Sequence, residues 1–219
     1  MMLAFIHIPK TSGMSFKDFI FSNLGADGLA WYMINFFDED FLDKSEMLSN
    51  KFRFVGGHLS YGRYMDMNLG EVRFCSILRD PLERIYSYYN HIVVRDQNHP
   101  LREQLSSRSL VEGIKNCKTF RDEITNGQCH YLTAKNTFEE ALEVIQNNKF
   151  ILGDVRNIEP FLDAVLQACN VTKNVNYSRA NSAENNYISE FKNKETDDFL
   201  MNFIGEDLKL YSYVRQLYA

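Results

Sequence analysis

The sequence predicts an α/β fold, a central parallel sheet flanked by helices, and three observations carry that reading. Four short, nearly continuous apolar runs read as strands buried on both faces: Leu3 to Ile8, Phe52 to Gly57, Val72 to Leu78 and Lys149 to Gly153. Stretches with helical spacing follow or precede these runs, and strand–helix alternation builds βαβ units around a parallel sheet. Polar groups crowd the ends of three runs, at Pro9-Lys10, His58 and Arg79. Open parallel sheets bind ligands at the carboxyl ends of their strands.

Taken in order, LAFIHI (Leu3 to Ile8) is a strand stopped by Pro9. The small and polar residues Thr11 to Ser15 form a loop, and Phe16, Phe19, Ile20 and Leu24 then recur at helical spacing. FRFVGG (Phe52 to Gly57) leads into His58, and VRFCSIL (Val72 to Leu78) ends at Arg79-Asp80-Pro81. That boundary is the clearest helix start in the chain. Asp80 can cap, Pro81 suits the first helical position, and Glu83 completes a capping-box pattern for a helix through Tyr89 or beyond. Thr137 to Asn147 is amphipathic, with Phe138, Ala141, Leu142 and Ile145 on one face, ahead of the strand KFILG. Asp96 to Ser109 reads as a polar surface excursion and Tyr177 to Glu184 as a loop. Thr196 to Leu217 is amphipathic, with Phe199, Phe203, Leu210, Tyr211, Val214 and Leu217 available to dock on the sheet. With no Gly/Ser/Pro-rich linker and no repeat, residues 1–219 read as one domain.

Apolar residues make up 45% of the chain and 17 Phe and 12 Tyr stand among them, so the core is expected to be rich in rings. A net charge of -5 argues against a nucleic-acid partner that would be bound by broad phosphate neutralisation. The four cysteines, Cys75, Cys117, Cys129 and Cys169, form no CxxC pair, so neither a zinc site nor a disulfide framework is expected. Cys75 reads as a buried small hydrophobe. The absence of a signal-like start and of any membrane-length apolar stretch gives the expectation of a cytoplasmic protein without a membrane span.

The loop PKTSGMS has the parts of an anion cradle. Turn and helix N-terminal amides converge there, Thr11, Ser12 and Ser15 add hydroxyls, and Lys10 adds a charge. A Walker A loop would carry its lysine at the end, whereas Lys10 comes directly after the strand. Arg79 leaves the third run, and Ser87 follows about two helical turns later. Together they can hold a second phosphate, through a charge-assisted fork and a hydroxyl.

On these residues the sequence resembles the sulfotransferases that use 3′-phosphoadenosine 5′-phosphosulfate (PAPS). FIHIPKTSGMSF is similar to their 5′-phosphosulfate loop and RDPLERIYSYY to their 3′-phosphate strand–helix. The nearest likeness is to carbohydrate O-sulfotransferases of the heparan sulfate 2-O and 6-O type and their bacterial relatives. GGHLSYG, NGQCHYL, FILGDVRNIEPFL, NYSRANS and EDLKLYSYV fall in family order. The resemblance implies a P-loop-like sulfotransferase fold, PAPS as donor, a hydroxyl acceptor on a glycan or small molecule, and no metal. It implies that Lys10 stabilises the bridging oxygen and that Thr11, Ser12, Gly13, Met14 and Ser15 hold the 5′-phosphate. Arg79 and Ser87 would hold the 3′-phosphate, Arg179 would close over the nucleotide, and His58 would act as base.

Several positions depart from that pattern. Ser12 and Met14 stand where many members have Gly and Thr, Gly56 where the 2-O type has a second histidine, and His130 where many have arginine. Among the remaining residues, His7 reads as packed in the first strand, His91 as structural and His99 as exposed. FILGD imitates a Walker B strand, but Asp154 reads as a helix cap, and Tyr86, Tyr88 and Tyr89 as core and cleft wall. The alternatives that remain are a P-loop-type ATP-dependent kinase, with Asp154 on magnesium, and a nucleotide-binding module without turnover.

Overall fold

The computed structural model describes residues 2–25, 29–32, 53–67, 69–133, 135–178 and 192–217. Its centre is a five-stranded sheet made of β1 (Met2–Ile6), β2 (Leu29–Tyr32), β3 (Phe54–Gly57), β4 (Val72–Leu78) and β5 (Ile151–Asp154), in the order β2-β3-β1-β4-β5. Every pairing is parallel. β1 is therefore the middle strand, with Ile6 opposite Gly57 of β3 on one side and Ser76 of β4 on the other. The chain leaves β1 towards β2 and β3, then crosses to β4. The loops after β3, β1 and β4 consequently open side by side at one edge, the usual place for a ligand crevice.

Alternation along β1 explains why the runs look uniformly apolar. Met2, Ala4 and Ile6 face one core with Val55, Phe74, Leu78 and Leu152, while Leu3 and Phe5 face another with Phe54, Cys75 and Ile77. Helices α1 (Gly13–Leu24) and α9 (Glu159–Ala168) cover the second face, through Phe16, Phe19, Ile20, Phe161, Leu162 and Val165. Gly153 in β5 lets α9 come close, since a β-carbon there would stand 2.6 Å from the Phe161 ring. The first face is covered by α7 (Gly127–Thr133), α8 (Phe138–Asn147) and α11 (Gly205–Gln216), through Cys129, Leu132, Ala141, Ile145, Leu210 and Val214.

The predicted helix after Arg79 is α3 (Pro81–Asn90), continued by a π-helical turn, His91–Arg95. Asp80 accepts the Glu83 amide at 3.1 Å as expected of a cap. Glu83 does not close a capping box. Its carboxylate turns outward to Arg156 at 2.6 Å and to Arg79 at 3.5 Å, because two cations offer it more than one amide does. A third cluster, built on Ile85, Tyr86, Tyr88 and Tyr89, binds α3 to α5 (Leu110–Asn116), α6 (Lys118–Ile124) and α10 (Lys194–Leu200).

Other expectations shift. The polar stretch Asp96 to Ser109 contains α4 (Arg102–Leu105) and seats Leu101 and Leu105 in the third cluster, so it is packed as well as polar. In the C-terminal stretch Leu210, Tyr211 and Val214 dock on the sheet, whereas Phe199 and Phe203 join the third cluster and Leu217 is exposed. Asp154 caps no helix. It ends β5, and its Oδ1 accepts the Tyr211 hydroxyl and the Arg156 amide, each at 3.0 Å, so one carboxylate oxygen is committed within the fold. All four cysteines are buried and free. Among the described residues no helix is long and apolar enough to cross a membrane.

One buried charge group holds the region behind Arg79. Asp207 is fully buried and accepts the amides of Gln128 at 3.1 Å and Cys129 at 2.9 Å, at the start of α7. Burial raises its carboxyl pKa, against the opposing effects of Arg84 and those two amides. Arg84 is itself wholly buried, and a β-carbon on Gly127 would stand 2.5 Å from its Nη2. Removing the Asp207 carboxylate leaves two buried amides without their acceptor, and an unsatisfied buried polar group typically costs about 1–3 kcal/mol. Asp207→Ala should lower unfolding stability by about 3 kcal/mol in urea titrations followed by circular dichroism.

Candidate active site

The cleft is built from the three loops that follow β1, β3 and β4. The first contains Lys10 to Ser12, where Lys10 (φ 71°) and Ser12 (φ 67°) both occupy the left-handed region. Non-glycine residues reach it only at a cost, and such alternation turns successive amides towards one side as an anion nest. Ser12 precedes α1 without capping it by its side chain, so the first amides of a 12-residue helix present their partial positive charge to the loop. Thr11 differs from expectation in one respect. It is buried and its hydroxyl donates to the Ile8 carbonyl at 2.8 Å, leaving its amide rather than that proton for an anion. Gly13 and Ser15 are buried, Ser12 is half-buried and Met14 projects outward at 37% exposure, so what Met14 brings to the loop is its amide.

Arg79 enters from β4, and its Nη1 donates to the Lys10 carbonyl at 3.3 Å. The two sequence motifs thus meet in one cleft. Arg79 is held by a residue that sequence reasoning did not single out. The side chain of Gln128, wholly buried at the start of α7, accepts the Arg79 amide at 3.0 Å and donates to the Arg79 carbonyl at 2.9 Å. Ser87 is half-buried on α3, one turn ahead of His91.

Charge is concentrated here. The Lys10 ammonium is pushed down to about 8, first by burial, then by the positive charge of Arg95, then by Arg79. His91 falls to about 4, through burial first and Lys10 second. The π turn therefore brings Arg95 and His91 into the field of Lys10. Arg102 fixes that turn by donating to the carbonyls of Ile92 at 3.1 Å and Val93 at 2.6 Å. The four-residue spacing of Ser87, His91 and Arg95 was the available signal, since it marks one side of a continuing helix.

His58 follows β3 directly. Its Nδ1 lies 3.0 Å from the His7 carbonyl, which can only accept, so Nδ1 carries the hydrogen and Nε2 keeps its lone pair. Burial lowers the His58 pKa, the hydrogen bond to His7 raises it, and Lys10 lowers it again, for a net fall. The ring is therefore neutral at pH 7. His7 stands just past β1, outside the strand expected to contain it, and its ring stacks on His58 at 4.0 Å. His99 is partly covered, its Nδ1 accepting the Leu101 amide at 3.2 Å. Tyr86, Tyr88 and Tyr89 are buried in the third cluster. His130 is exposed and pairs with Asn136 at 2.9 Å. Arg179, expected to close over the nucleotide, lies outside the described residues.

A model of the sulfotransferase family matches residues 2–159, which span β1, the Lys10 loop, His58, Arg79 and β5. The chain belongs to the sulfotransferase family. Its fold is also that of the mouse sulfotransferase SULT7A1, solved as a complex with PAP. The TM-score is 0.58 at 13% identity, over 96% of this chain and 88% of that one. No curated protein sequence matches the chain. The sulfotransferase fold accounts for the central parallel sheet with helices on both faces.

The Gln128 clamp makes Arg79 a fixed feature of the cleft. Gln128→Ala should weaken binding of PAP (adenosine 3′,5′-bisphosphate) by about tenfold in calorimetry, as expected for about 1.4 kcal/mol of lost positioning.

Proposed function

We propose that the protein transfers a sulfuryl group from PAPS to a hydroxyl acceptor, most readily a carbohydrate hydroxyl. The observation that carries this reading is the approach of Arg79 to the Lys10 carbonyl, which puts two anion-binding elements within reach of one bisphosphate. The residues suit that ligand. Amides from Thr11 to Ser15 can hold the 5′-phosphate, and Arg79 with Ser87 can hold the 3′-phosphate. Arg179 is proposed to complete the nucleotide site. Lys10, Arg79 and Arg95 act on one another electrostatically, and although Glu83 meets Arg79 at 3.5 Å, their shared positive field favours an anion between them.

Bound there, PAPS supplies an activated sulfuryl group. His58 Nε2 is the group placed to accept the acceptor's hydroxyl proton as that oxygen bonds to sulfur. Lys10 meets the charge that develops on the phosphate oxygen as its bond to sulfur breaks, leaving PAP and a sulfate ester. The kinase reading would put Asp154 on magnesium, whereas its Oδ1 already accepts from Tyr211 and the Arg156 amide, which weighs against it. Free, buried cysteines suit a reducing compartment, and we place the reaction in the cytoplasm.

Incubation with PAPS and a panel of sugars and simple alcohols should give sulfated product and PAP; failure of the protein to bind either nucleotide would refute the proposal. His58→Ala should abolish turnover, by about a hundredfold or more, while PAP affinity stays within about threefold. A protein with nucleotide binding but no turnover to lose would instead be a binding module.

The Lys10 ammonium sets a second test. Its free-state pKa of about 8 must rise when an anion binds, so binding takes up a proton above that pH. PAP affinity should be flat from pH 7 to about 8, because the phosphates are already ionised. Above about 8 it should weaken by up to about tenfold per pH unit. Lys10→Ala should remove that slope, read by calorimetry across pH 7 to 9.5.

A further inference from the structure

His7 touches three parts of the cleft at once. Its amide donates to the Gly57 carbonyl at 2.9 Å, and its own carbonyl faces His58 Nδ1 at 3.0 Å. Its ring, only 3% of the residue being exposed, stacks on His58 at a centroid distance of 4.0 Å with 23° between the planes. Another neighbour of that ring is the start of α1. A β-carbon built on Gly13 would stand 2.0 Å from both Cδ2 and Nε2 of His7, so the helix meets the ring with bare backbone. Phe5 stacks behind it at 5.8 Å. The imidazole of His7 thus packs against both the helix that presents amides to the anion cradle and the ring proposed as the base.

We infer that His7 is a positioning residue for His58, its buried ring fixing the plane of the His58 imidazole and shielding one face of it from water. The inference rests on the proposed role of His58. A second cation beside His58 would oppose formation of the imidazolium during catalysis, and His7 is kept neutral, its pKa held well below 6.5 by burial first, then by His58 and Lys10. The groups acting on His58 are the His7 carbonyl, through its hydrogen bond, and the charge of Lys10. Behind Lys10 stand Arg95, Arg79 and His91. Replacing the His7 ring by a small side chain leaves those cations in place and admits water to the stacked face of His58. Loss of desolvation raises a histidine's pKa.

The test labels histidine with 13C and 15N and follows His58 by NMR in four proteins: wild type, His7→Ala, His7→Gln and His7→Phe. Two variants remove the ring with different side-chain volumes, so that one of them can fail to fold without ending the test; amide spectra and thermal unfolding identify folded samples. Wild-type His58 should titrate below pH 6.5 with its hydrogen on Nδ1. In His7→Ala and His7→Gln the midpoint should rise by about half a unit or more. kcat should fall by about tenfold, with the KM for PAPS changed by less than about threefold. His7→Phe restores a flat apolar cover and should recover both the low midpoint and most of kcat. An unchanged His58 midpoint in the ring-deleted proteins would overturn the inference, and so would equal losses in all three variants that track only their thermal stability. The NMR measurement needs no turnover, so an inactive wild-type protein would count against the proposed reaction and leave this inference to be decided by the titration.

Discussion

The contact between the Arg79 guanidinium and the Lys10 carbonyl is the constraint around which the cleft is organised. It spans the gap between β1 and β4, neighbours in the sheet whose following loops belong to different βαβ units. Because β1 is the middle strand, His58 arrives from β3 on the other side of the same loop. Three segments distant in sequence are thereby brought to one edge by strand order alone. The rest of the described fold supports that edge from behind. Asp207 holds the start of α7, α7 carries Gln128, and Gln128 grips both main-chain polar groups of Arg79. A loop residue held so completely keeps its guanidinium in place without a ligand, and preorganised charge is what anion binding and transfer chemistry use best.

Electrostatically the cleft works against the character of the whole chain. The protein carries a formal net charge of -5, yet Lys10, Arg79 and Arg95 share one small region. Burial and mutual repulsion lower the proton affinity of the groups that can titrate: Lys10 drops to about 8 and stays charged at pH 7, while His7 and His58 become neutral. The arginines cannot follow, so they remain as fixed positive charge. This division has chemical sense. In the proposed reaction the groups that would hold phosphates are guanidinium, and the one that would accept a proton is an imidazole whose unprotonated form is favoured by its surroundings.

Much of the architecture was legible because a strand buried on both faces leaves an apolar run, and four of the five strands did so. β2 was not recognised: LAWY is four residues long and runs straight on into the apolar residues Met33 and Ile34, so no break marks its end in the sequence. The helices over residues 110–124 went unread for a related reason, since their buried residues face other helices rather than a sheet and their pattern is short. Lys10, Arg79 and His58 were visible because each follows a strand directly. Gln128, Arg95 and His7 were not, and the cause differs in each case. Gln128 acts on a backbone 49 residues away, which no local pattern records. Arg95 keeps the four-residue spacing of Ser87 and His91, but it lies in a π turn beyond the end of the α-helix at Asn90, past the stretch the capping signals mark. His7 sits beside an apolar strand and looks like core. Its partner His58 is 51 residues distant, and only the strand pairing reveals that the two rings face each other.

The departures at Ser12 and Met14 are resolved by the backbone. At Met14 the family pattern offers a hydroxyl, but this side chain points outward at 37% exposure while its amide belongs to the first turn of α1. An anion held by helix N-terminal amides loses little when one neighbouring side chain cannot donate. At Ser12 the opposite pressure acts. With φ 67° and ψ 17° the residue sits where glycine is at ease and serine is strained by about 1 kcal/mol or more. Lys10 carries a similar burden at φ 71°. Such conformations persist only where surrounding contacts impose them, and here the Thr11 hydroxyl pins the turn to Ile8 while Gly13 packs bare against His7. The loop's amide geometry is therefore held by its buried residues, and the exposed side chain at position 14 is the part left free to vary.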